Sequence, residues 1–90
     1  MKTIIIDGSC MESMSQIHDL FSETLDFPEW YGRNLDALHD CLTELNEPLT
    51  IELKHAEQLK EQLHHRAERL IRMLQHASQE NELLTLTLED

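Results

Sequence analysis

The sequence predicts an α/β fold: a two-layer, three-stranded parallel sheet of order 1-2-3 with about four helices. Three observations lead there. Three short segments have the β-branched run or two-residue alternation of strands, the stretches between them have helical periodicity, and each gap between strands is long enough for a helical crossover. Right-handed crossovers stepping in one direction put every helix on the same face of the sheet. The opposite face is then open, in keeping with the threonines and Glu52 that alternate with apolar residues in the later strands.

Residues 3–6, Thr-Ile-Ile-Ile, form the first strand. Ser13 followed by Gln16 has capping-box spacing, and Ile17, Leu20, Phe21 and Leu25 then recur at helical intervals until Pro28 closes the helix. Asn34 is a good N-cap for a second helix over residues 35–44. Leu49, Ile51 and Leu53 alternate with Thr50 and Glu52, and Leu84, Leu86 and Leu88 alternate with Thr85 and Thr87, so each segment reads as a strand with one buried face. Between these strands a short helix over residues 56–62 precedes a longer amphipathic one carrying Ala67, Leu70, Ile71, Leu74 and Ala77.

Ninety residues make one small domain, residues 1–90, with one core and no room for a deep cofactor cavity. No cofactor is expected. Eighteen acidic residues against seven basic ones give a formal charge of -11. Such a chain is repelled by nucleic acid and by anionic membranes, so its expected partners are basic proteins or cations. The apolar run of MKTIII ends at Asp7, well short of the ~7–15 residues a signal peptide needs. A cytoplasmic location is therefore expected, and Cys10 and Cys41, without CxxC or zinc spacing, suit reduced thiols there.

The stretch FPEWYGRNLDALHDCLTEL, residues 27–45, concentrates the functional signal. At ~100° per residue, Leu35, Leu38, Leu42 and Leu45 share one face of the second helix, with Cys41 at its margin. Asp36, His39, Asp40 and Thr43 occupy the opposite arc. Like charges four apart repel by about 0.2–0.5 kcal/mol, partly offset where Asp36 meets the positive end of the helix dipole. Trp30 and Tyr31 precede this helix, one of them expected in the core and the other available as an interface anchor. Gly32 allows either positive φ or close backbone approach.

Catalytic patterns have little support. His64, His65 and Glu68 lack a fourth ligand at metal-site spacing, and His39, Asp40 and Cys41, adjacent on a helix, point in different directions. Neither an enzyme nor a metal site is expected. A binding module is.

The string PEWYGRNLDALHDCLT, residues 28–43, resembles the central motif of the barstar family, intracellular inhibitors of the extracellular ribonuclease barnase, and the order of elements follows that family along the whole chain. The resemblance implies a three-stranded parallel sheet with helices and an inhibitor that plugs the active site of a basic, barnase-type ribonuclease. It places Asp40 where a substrate phosphate would sit and gives Asp36 a supporting role. Trp30, Asn34, Leu35, His39, Thr43, Met73, His76 and Glu80 complete the implied partner-binding set. Trp30 replaces a stacking tyrosine, His39 a tryptophan and His76 a target-contacting glutamate, with Glu80 one turn away as a substitute carboxylate. The alternative is an immunity protein of the same architecture directed at another basic toxin.

Overall fold

The computed structural model describes residues 2–89. The chain runs β1 (Lys2–Asp7), α1 (Met14–Leu25), α2 (Leu35–Thr43), β2 (Leu49–Lys54), α3 (Ala56–Leu63), α4 (His65–Glu80) and β3 (Leu84–Leu88). The three strands form one parallel sheet in the order β1-β2-β3, with Ile4 opposite Ile51 and Ile51 opposite Leu86. Ile4, Ile6, Ile51 and Leu53 are buried on the helix-covered face, while Thr3, Ile5, Thr85 and Thr87 are exposed on the other. The predicted fold class holds.

The core lies between this face and the helices, which contribute Phe21, Ile17, Leu38, Leu42, Leu59, Leu70 and Leu74 as fully buried side chains. Each buried aliphatic side chain contributes about 1.5–3 kcal/mol relative to its exposed state. The apolar stripe of α4 is complete at Ala67, Leu70, Leu74 and Ala77, with Ile71 at its edge. In β3 the expected buried face fades along the strand: Leu84 is buried, Leu86 partly so, and Leu88 is 43% exposed. The other edge strand, β1, keeps Ile4 and Ile6 buried, so the exposure is particular to the far end of β3.

Helix ends follow local chemistry with small departures. Ser13 Oγ accepts from the Gln16 amide at 3.4 Å, but the Gln16 side chain reaches back to the Glu12 amide rather than to Ser13. α1 ends before Pro28, because Asp26 turns left-handed (φ 55°) and its N–H donates to the Ser22 carbonyl. α2 stops at Thr43, one residue earlier than predicted, with Glu44 as its cap. Between α3 and α4 stands His64, at φ 54° and ψ -126° with no side-chain cap. That conformation costs a non-glycine residue roughly 1–3 kcal/mol.

Candidate functional site

The loop into α2 is fixed from both ends. Asn34, in extended conformation, accepts a 2.8 Å bond from the Ala37 amide through Oδ1, which satisfies one of the free N–H groups at the helix start. Its Nδ2 donates to the Gly32 carbonyl at 3.3 Å. The positive φ in this loop belongs to Arg33 (φ 51°), not to Gly32. Close approach is the reason for glycine at 32, since a Cβ there would lie 3.1 Å from Asn34 Nδ2 and 3.4 Å from Ala37 Cβ. Arg33 is held in its unusual conformation by a 2.8 Å ion pair with Asp19 and by bonds from Nη2 to the carbonyl and hydroxyl of Ser15.

The two neighbouring aromatic rings have opposite fates. Tyr31 is 8% exposed and packs against Phe27 at 4.8 Å between ring centroids, while Trp30 is 83% exposed. Tyr31 Oη lies 2.7 Å from Nδ1 of the buried His18. Burial pushes the Tyr31 pKa up to about 12, with Cys41 adding to the rise and Arg33 opposing it. Burial pushes His18 below its ordinary 6.5, helped by the Arg33 charge and opposed by Asp19. The phenol O–H can therefore donate to an unprotonated imidazole nitrogen. This pair braces the loop from beneath and leaves the indole facing outward.

Along α2, Leu38 and Leu42 are fully buried, whereas Leu35 and Leu45 are half-buried at the two ends of the predicted apolar face. Leu35 sits at the rim because the groove beside it is open. Asp36 and Asp40 are both exposed, and His39 and Thr43 are partly covered. The Thr43 hydroxyl donates back to the Asp40 carbonyl at 3.1 Å. Cys41 is partly buried, and desolvation first, then Glu44 and Asp40, push its thiol pKa up, which disfavours the nucleophilic thiolate.

α4 packs beside α2 and supplies the second wall. Leu35, Asp36, His39, Met73 and His76 line one groove of about 350 Å³ together with Arg69 and Arg72. Asn34, Leu35 and Asp36 line an adjoining groove of about 250 Å³ with Met14, His18, Arg66 and Arg69. Trp30, Asp40, Thr43 and Glu80 line neither. Glu80 is drawn toward α2 instead, with Oε1 3.1 Å from His39 Nε2. To serve as a substitute carboxylate it would have to leave that contact. Among the described residues no group of three His, Cys, Asp or Glu side chains is arranged to hold a metal ion, and no helix is long and apolar enough to cross a membrane.

Several residues join the site only through the tertiary structure. Asn81, just past α4, donates from Nδ2 to the carbonyls of Leu42 at 2.9 Å and Leu45 at 3.1 Å. It thus caps the far end of α2 from 39 residues away. Arg66, Arg69 and Arg72 of α4 also border the site. Their three-residue spacing beside Met73 and His76 was the available signal.

Similarity to known proteins agrees with this architecture. The family described as Barstar (barnase inhibitor) matches residues 1–89. A Bacillus subtilis (strain 168) protein named "Putative ribonuclease inhibitor YrdF" is 44% identical over 81 residues, which covers 89% of this chain and 89% of that protein. With the match running through all seven elements and the fold in agreement, the chain belongs to the Barstar (barnase inhibitor) family.

Proposed function

We propose that the chain inhibits a basic, barnase-type ribonuclease in the cytoplasm, without catalysis of its own, by seating the acidic face of α2 and the preceding loop in the enzyme's active site. The observation that carries this reading is a pair of exposed carboxylates, Asp36 and Asp40, on a helix whose two ends are tied down by Asn34 and Asn81. A ribonuclease gathers Arg, Lys and His side chains around a phosphate. A carboxylate on a rigid helix offers them charge-assisted hydrogen bonds and no scissile bond. In this reading Asp40 takes the place of the phosphate and Asp36 supports it. Trp30 stacks on the enzyme, and Leu35, Met73 and His76 widen the contact.

Rigidity matters because every side chain ordered on binding costs about 0.5–1.5 kcal/mol, and a helix fixed beforehand has less to lose. The 44% identical relative with a ribonuclease-inhibitor name supports the enzyme class of the partner. The net charge of -11 supports a basic partner over nucleic acid or membrane. A titration of the activities of a panel of barnase-type ribonucleases with the purified chain tests the reading. Loss of activity reaching an endpoint at one inhibitor per enzyme is expected for at least one member. Full activity across the panel at micromolar inhibitor would redirect the reading to a different basic protein.

A further inference from the structure

Three of the chain's seven basic residues, Arg66, Arg69 and Arg72, lie on α4 along the grooves that border α2. All three are exposed, and among the described residues none forms an ion pair, although the chain has eighteen acidic residues. The contrast with Arg33, locked to Asp19, is informative. Arg69 borders both grooves, and Leu35 and Met73 line the larger one together with Arg69 and Arg72. Planar guanidinium groups beside apolar side chains are suited to bidentate contact with carboxylates, and arginine is prominent among residues that dominate interface energetics.

We infer that Arg69 and Arg72 form a cationic subsite that receives carboxylates on the rim of the partner ribonuclease, beside the basic cleft that takes Asp36 and Asp40. The inference rests on the ribonuclease reading and deepens it, because the binding surface becomes two-signed. A uniformly basic partner would be repelled by this wall of the groove. A phosphodiester backbone would bring a run of negative charges into a field of -11, whereas a carboxylate carried by a net basic protein is drawn in by the rest of its partner, which favours a protein carboxylate as the occupant. Two-signed complementarity also fixes register, since a rotated docking would set like charges against each other.

The sign of the response tests this. With the ribonuclease most strongly inhibited in the panel as the probe, R69Q/R72Q should weaken binding about tenfold and R69E/R72E more, with melting curves unchanged because both side chains are exposed. Tighter binding by R69Q/R72Q, or a change within about twofold, overturns the inference; if Asp40→Ala still weakens binding in the same assay, the ribonuclease reading stands alone. A panel on which the wild-type chain inhibits nothing overturns both together. A fluorescent single-stranded RNA that binds the free wild-type chain and not R69Q/R72Q would also overturn it, assigning the arginines to nucleic acid.

Discussion

α2 and α4 form the two walls of one surface but are built on opposite terms. α2 has nine residues, begins on the Asn34 side-chain cap, is held at its end by Asn81 and exposes carboxylates. α4 has sixteen residues, begins after the strained His64 with no side-chain cap and exposes guanidinium groups. A nine-residue helix is too short to persist alone in water, so its position depends on the burial of Leu38 and Leu42 and on its two tied ends. The longer helix is held by its buried stripe of Ala67, Leu70, Leu74 and Ala77. The wall assigned the central role in inhibition is thus the one whose ends are fixed by a few polar contacts in addition to the burial of Leu38 and Leu42, and those contacts can be removed one at a time.

The largest expected effect is on binding through α2. Asp40→Ala should weaken inhibition of the cognate ribonuclease by about 3 kcal/mol, roughly a hundredfold, because it leaves buried cations of the enzyme without a partner. Calorimetry on both proteins measures this, and a loss no larger than that from His76→Ala on α4 would erase the distinction between the two walls. Asn81→Ala comes next. It removes both bonds to the Leu42 and Leu45 carbonyls and should cost about 1–3 kcal/mol in urea unfolding, together with a faster release of the ribonuclease as α2 loosens.

The helix starts should respond with opposite sign. Asn34→Ala should destabilise by roughly 1 kcal/mol through loss of the cap, while His64→Gly should stabilise by about 1 kcal/mol by relieving the positive φ. Thermal melts of the two variants provide the comparison, and a destabilised His64→Gly would mean that the histidine is not strained. The smallest effect at neutral pH concerns His18 beneath the loop. Its folded pKa lies below the ordinary 6.5, so between those two values the unfolded chain binds more protons than the folded one. Stability is therefore fully present above about pH 6.5 and declines as pH falls through the folded value. His18→Gln should flatten that decline in urea titrations at pH 7.5, 6 and 5, and an unchanged slope would show that other groups control it.

Tyr31 supplies the mirror case at high pH. Its raised pKa contributes stability below about pH 10 that is lost as pH rises toward about 12. Together His18 and Tyr31 confine the intact loop brace to the interval between their two titrations. Tyr31 lies behind the loop, while the buried His18 also borders the groove lined by Asp36, so their titration is read by unfolding rather than by inhibition.

By itself the sequence determined what depends on neighbours a few residues apart. The β-branched run of β1, the two-residue alternation of β2 and β3 and the helical patterns between them marked the strands and helices, Asn34 marked the start of α2, and angular spacing put Asp36 and Asp40 on one exposed arc. These features follow from backbone hydrogen bonding and side-chain direction, which are short-range. Only the tertiary structure decided which aromatic ring is buried, because that depends on His18 and Phe27 lying beneath Tyr31. It also decided that Arg33 takes the left-handed conformation, that Glu80 turns to His39, and that Asn81 caps a helix 39 residues earlier. The arginines of α4 had no visible role in the sequence for the same physical reason: their meaning comes from the distance and rotation at which α4 packs against α2, and these are set by the shared core beneath both helices.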